Sequence, residues 1–139
     1  MEISSIMHEK VVTVEMDDTL EVIQEIFQKL TFHHLLVVSG KKLIGVISDR
    51  DFLRATSPFL DTMSESTRDL ATLQKRAHQI MSPHPITVSP DMKVVDAAQL
   101  LLEKNISCLP VVSEEDELRG IITWKDLIHG LLKNQAASS

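Results

Sequence analysis

The chain repeats itself, and that constrains its fold more than any other feature. Residues 6–39 align with 80–113 at an offset of 74, and residues 43–53 align with 118–128 at an offset of 75. Identical pairs recur in register: Ile6/Ile80, Met7/Met81, Thr13/Thr87, Val14/Val88, Asp17/Asp91, Leu35/Leu109, Val37/Val111, Val38/Val112, Ser39/Ser113, Leu43/Leu118, Gly45/Gly120, Ile47/Ile122 and Asp51/Asp126. A period of this kind means one supersecondary unit built twice, neither copy able to bury its apolar face alone.

Each copy is predicted as β-α-β-β-α. A short strand (Val11 to Val14; Ile86 to Val88) precedes a helix with Leu20, Ile23, Ile26, Phe27 and Leu30, or Val94, Ala97, Ala98 and Leu101, at helical spacing. Ser89-Pro90-Asp91 has the residue types of a helix start. Two strands then bracket a polar turn: Leu35 to Val38 with Leu43 to Ile47, and Leu109 to Val112 with Leu118 to Ile122. A second helix follows each hairpin. A unit of about 48 residues buries too little surface by itself, so the fold expected is α+β, with two repeats packed sheet to sheet about a pseudo-twofold axis. The repeats occupy residues 1–54 and 80–133. Between them, 55–79 is a linker in which Ser57-Pro58 ends a helix and Ser64 to Gln79 forms another, with Leu70, Leu73 and Ala77 on one side. Residues 134–139 are small and polar, and are expected to be a disordered tail.

Composition narrows the function. With 14 Lys and Arg against 20 Asp and Glu, the net charge of −6 repels a phosphate backbone, and no dense basic stretch opposes it, so nucleic acid is not an expected partner. No apolar run approaches the roughly 20 residues of a membrane span and the N-terminus has no apolar signal core, so a cytoplasmic protein is expected. One cysteine, Cys108, excludes an internal disulfide. Four glycines, at 40, 45, 120 and 130, assemble neither a Walker loop nor a dinucleotide fingerprint. A nucleotide has to be held by other means.

One constellation offers such means. Gly45-Val46-Ile47-Ser48-Asp49-Arg50-Asp51 ends a strand and opens a helix, which sets Ser48 and Asp51 one turn apart beside unpaired N-terminal amides. A carboxylate there can accept ribose hydroxyls, and a serine can hold a ribose or phosphate oxygen. Thr123 and Asp126 repeat the arrangement. The same spacing is that of a capping box, in which the two side chains satisfy only each other's backbone amides, and both roles account for the residues.

The ordered set I-M-x-x-x-(P)-h-T-V, a helix, h-x-x-L-(P)-V-V, a hairpin and G-h-h-[ST]-x-x-D resembles the cystathionine-beta-synthase (CBS) domain, here as Ile6 to Leu53 and Ile80 to Ile128; the pair resembles a Bateman module. Copy one departs from the pattern with Leu36 where copy two has Pro110. The resemblance implies a regulatory, non-enzymatic module whose clefts bind an adenosine-containing ligand: AMP, ADP or ATP, with S-adenosylmethionine or NAD as alternatives. That ligand is regulatory, and no cofactor is implied. It further implies a homodimer and a target protein that the sequence does not identify; Leu127, Ile128, Leu131 and Leu132 supply apolar surface for association.

The resemblance also distributes roles. His33, and with it His34, in Phe32-His33-His34-Leu35 stands where some relatives meet phosphate; the copy-two counterpart is Ile106-Ser107-Cys108-Leu109. Arg50 supplies a charged fork that Lys125 only partly imitates. The preferred cleft uses Ser48, Asp51, Arg50 and His33, with Val12, Ile86 and Ile106, Ser107 and Cys108 as walls, and Thr123, Lys125 and Asp126 form its copy-two analogue. His33 covering a strand edge and Arg50 as a solvated helix residue are the plainer alternatives. Six histidines form no i, i+4 pair, so no metal site is expected. Cys108 lies in an apolar segment and reads as packing. A scaffold that only dimerises or docks a partner, its clefts empty, is the alternative function.

Overall fold

The computed structural model describes residues 1–29, 33–60 and 62–138; Leu30 and Phe32, named above, lie outside them. The chain forms two compact units, and they do not follow the sequence repeats. One comprises Val12–His84, the other Met1–Val11 together with the chain from Pro85 onward.

In the unit of residues 12–84, strand β1 (Thr13–Glu15) leads into helix α1 (Leu20–Lys29), β2 (His34–Ser39), β3 (Lys42–Ser48) and helix α2 (Asp49–Ala55). Short helices α3 (Thr67–Ala71) and α4 (Ala77–Ile80) precede β4 (Ser82–Pro83). The sheet order is β1-β2-β3-β4, parallel between β1 and β2 and antiparallel elsewhere. The turn between β2 and β3 places Gly40 at φ 65, where a side chain would be strained. Leu20 and Ile23 of α1 pack with Leu35, Val37, Ile47 and Phe52 into one buried cluster, in which the Phe27 and Phe52 rings lie 5.8 Å apart. The linker helix expected over Ser64 to Gln79 is instead broken. A capping box of Ser66 and Asp69 starts α3, a 3-10 turn follows at Thr72–Gln74, and Lys75 and Arg76 turn extended. There the Lys75 carbonyl accepts a bond from the Leu20 amide at 2.9 Å, which caps α1 from outside. Leu73 and Ala77 are buried as expected, whereas Leu70 is exposed.

The other unit contains α5 (Val94–Lys104), β5 (Cys108–Val112), β6 (Leu118–Thr123) and α6 (Trp124–Ser138). α6 runs on where a disordered tail was expected from Asn134. Ser89-Pro90-Asp91 does not start α5: Met92 N–H donates to the Ser89 carbonyl at 3.2 Å, closing a turn with proline at its second position, and the helix begins at Val94. The core gathers Val94, Ala97, Leu101, Leu109, Val111, Ile122 and Leu127 around Ile3, which is contributed by the N-terminal segment.

That segment is the fold's main surprise. His8 bridges Ile121 of β6 in antiparallel fashion, just as Ser82 of β4 pairs with Val46 of β3, and the offsets match the repeat (82 − 8 = 74; 121 − 46 = 75). The stretch leading into copy one therefore edges the copy-two sheet, and the stretch leading into copy two edges the copy-one sheet. Val88 likewise pairs with Val111 as Val14 pairs with Val37. The strand expected over Ile86 to Val88 shrinks to this one bridge for a covalent reason. Leu36 N–H donates to the Val12 carbonyl at 3.1 Å, but its counterpart, Pro110, has no N–H to give Ile86.

Met7 lies over Gly120 and Met81 over Gly45. A Cβ on residue 120 would stand 2.6 Å from the His8 carbonyl oxygen, a backbone atom, whereas at residue 45 it would meet the Met81 sulfur at 2.4 Å, the mobile end of a side chain. Gly120→Ala is therefore expected to destabilise by about 1–3 kcal/mol and Gly45→Ala by less. Thermal melts check the order, and an equal or greater loss at Gly45 would contradict it.

Candidate functional site

The end of β3 and the first turn of α2 form the copy-one candidate. Ser48 caps α2: its Oγ accepts from the Asp51 amide at 3.1 Å, while the Ser48 amide donates to Asp51 Oδ2 at 2.9 Å. The capping box is thus real, and it uses one carboxylate oxygen. Asp51 is only half-buried and makes no further hydrogen bond through Oδ1 among the described residues, so capping and ligand acceptance are compatible.

Around this turn, His33 Nδ1 stands 3.1 Å from Asp49 Oδ2, and the Asp49 amide donates to the His33 carbonyl at 2.9 Å. Asp49 went unnoticed in the sequence; the signal was the second acid of Ser48-Asp49-Arg50-Asp51. His33 therefore does not face an incoming phosphate as an uncommitted base. His34 opens β2 opposite Ser48. Burial holds its imidazole below the usual value, against the pull of Asp49, so it is neutral near pH 7. Arg50 is exposed and is the permanent cation of the turn. Val12 packs half-buried on the same core.

Copy two repeats the box with a different outcome. The Thr123 amide donates to Asp126 Oδ2 at 2.9 Å, and Thr123 Oγ1 lies 3.0 Å from the same oxygen. Asp126 is 6% exposed, and His8 Nε2 reaches its other oxygen at 2.7 Å. Lys125 is exposed beside it. Ile86, Ile106, Ser107 and Cys108 belong to this unit, with Ile86 and Ser107 exposed and Ile106 half-buried.

Cys108 is buried, and burial pushes its thiol up to about 11. Thiolate is scarce at neutral pH, so iodoacetamide should label the native protein about a hundredfold more slowly than the urea-unfolded chain, the rate climbing as pH approaches 11. Mass spectrometry follows this; equal rates in both states would contradict it. Among the described residues no three His, Cys, Asp or Glu converge as metal ligands, and no helix is long and apolar enough to cross a membrane.

The family described as CBS domain matches residues 3–57 and 77–133. A CBS domain-containing protein of Dictyostelium discoideum is 34% identical over 133 residues, covering 94% of this chain and 91% of that protein. Among solved structures, CBSX2 of Arabidopsis thaliana in complex with AMP superposes with a TM-score of 0.80 at 26% identity, covering 96% of this chain and 98% of that one. The CBS domain pair of protein MJ0100, in complex with 5′-methylthioadenosine and S-adenosyl-L-methionine, gives a TM-score of 0.77 at 25% identity over 94% of this chain and 99% of that one.

Proposed function

The chain belongs to the CBS domain family, with two copies, and on that premise we propose that it is a regulatory module that binds an adenosyl ligand at the Ser48–Asp51 turn and signals its occupancy to a partner protein. The observation that carries this is Oδ1 of Asp51, a carboxylate oxygen that no described residue bonds, beside helix N-terminal amides and Arg50. Ribose supplies two hydroxyl donors to such an oxygen, and the amides favour an anionic substituent. AMP, 5′-methylthioadenosine and S-adenosylmethionine, the ligands of the two neighbours, share only the adenosine part, which fits a site built on a ribose acceptor. The module acts by binding rather than catalysis, in the cytoplasm, as a homodimer. Exposed Ile128 and Leu132 of α6, at 52% and 65%, with exposed Val95 and Leu102 of α5, supply the apolar surface for pairing.

A thermal-shift panel of AMP, ADP, ATP, S-adenosylmethionine, 5′-methylthioadenosine and NAD tests the proposal. A ligand at a hundred times its dissociation constant adds about 2.7 kcal/mol, a rise of roughly 8 °C for a chain of this size. At least one member should raise the melting temperature. No shift across the panel favours the scaffold instead.

A further inference from the structure

The two Ser/Thr-x-x-Asp turns are equivalent in sequence and unequal in what their carboxylates have left to offer. Asp51 spends Oδ2 on its capping box, and among the described residues nothing bonds Oδ1. Asp126 spends Oδ2 on Thr123 and Oδ1 on His8, whose ring is 65% exposed and lies across an acid that is 6% exposed. With Nε2 at 2.7 Å from Oδ1, the imidazole occupies the side of the carboxylate that the capping box leaves open.

The residue that does this arrives through the exchanged edge strands. His8 on β6 and Ser82 on β3 occupy the same place in the repeat, with the same antiparallel partners one offset apart. Ser82 is exposed, and no described residue bonds its hydroxyl; the side chain is too short to span from the sheet edge as the imidazole does. We propose that His8 is a built-in stopper of the second carboxylate, so that the protein takes one adenosyl ligand per chain, at Asp51, and that positions 8 and 82 decide which turn is open. This rests on the adenosyl reading above and deepens it. A ribose at Asp126 would have to displace the His8 imidazole from Oδ1, whereas at Asp51 no described residue bonds that oxygen.

Calorimetric titration of the full chain with AMP tests the stopper. The wild-type protein should bind about one AMP, His8→Ala about two, Ser82→His almost none, and the double variant about one, now at Asp126. Ser82→His alters an exposed position, so it informs even where His8→Ala loses stability through the buried acid it leaves unpaired. Two equivalents bound by the wild-type chain, or unchanged stoichiometry in both single variants, would overturn the stopper while leaving the adenosyl site intact. No AMP bound by any of the four proteins would overturn the adenosyl reading itself, and the stopper with it.

Discussion

Deleting residues 1–8 is expected to abolish the cooperative melt of the unit that carries copy two. Those residues are structural. Ile3 is fully buried in that unit's core, and truncating a side chain of this size in such a place costs about 2–5 kcal/mol. The segment also donates from Ile3 N–H to the Met92 carbonyl at 2.9 Å and accepts from Val94 N–H at the Met1 carbonyl at 3.0 Å. His8 and Ile121 exchange two backbone bonds, at 2.9 and 3.0 Å. Without it, β6 is left as a bare edge and Gly120 and Gly130 lose Met7 and Ile6 from above them. A loss of at least ~5 kcal/mol takes most of the stability of a domain whose total is about 5–15 kcal/mol. Circular dichroism on heating should show a fall of about 15 °C or more, or no sigmoidal transition, and Ile3→Ala should reproduce roughly half of it. A truncated chain that melts within a few degrees of the full one would show that the segment is dispensable.

That dependence explains how the chain can be read and where the text gives out. The offset repeat, the 3.6-residue spacing in Leu20, Ile23 and Phe27, and the paired apolar runs around Gly40 are local patterns, and they forecast α1, β2, β3, β5 and β6 to within a few residues. The destination of Ile6-Met7 and Ile80-Met81 is not local. Identical dipeptides state that two segments do the same job without stating on which sheet each does it. Pro110 is a similar case: proline at that position is visible in the sequence, but its effect, the missing bond to Ile86, appears only once the register is known. In the linker, the apolar positions Leu70, Leu73 and Ala77 suggested one helix, and the extended Lys75-Arg76 step that breaks it comes from the partnership with Thr19 and Leu20, distant in sequence.

The same distinction runs through the site. Ser48 with Asp51 and Thr123 with Asp126 were visible as pairs because the capping spacing is local. What makes them differ, His8 on Asp126, comes from a residue 118 positions away (126 − 8 = 118). His33 was visible too, although its engagement with Asp49 was not. The positive charge at this turn therefore comes from Arg50 and the helix amides more than from the histidines.

The largest expected effect on binding is at Asp51. Asp51→Asn keeps an acceptor for the Ser48 amide and so preserves most of the capping box, while Asp51→Ala opens the box and adds about 1 kcal/mol of instability. Both remove a charge-assisted ribose contact of roughly 1.5–3 kcal/mol, weakening AMP about tenfold to a hundredfold. Asp126→Asn, at a carboxylate already covered by His8, should leave AMP affinity within about twofold while lowering the melting temperature, because the buried partner of His8 is changed. Calorimetry on the three variants separates these outcomes. Wild-type affinity in Asp51→Asn, with loss in Asp126→Asn, would reverse the assignment of the site.

The most direct measurement is an AMP titration of the isotopically labelled chain followed by amide NMR. The account predicts that the amides of Ser48, Asp49, Arg50 and Asp51 shift together and saturate on one binding curve, while those of Thr123, Lys125 and Asp126 stay where they were. Shifts confined to Thr123–Asp126, or a spectrum unmoved at about 5 mM AMP, would contradict it.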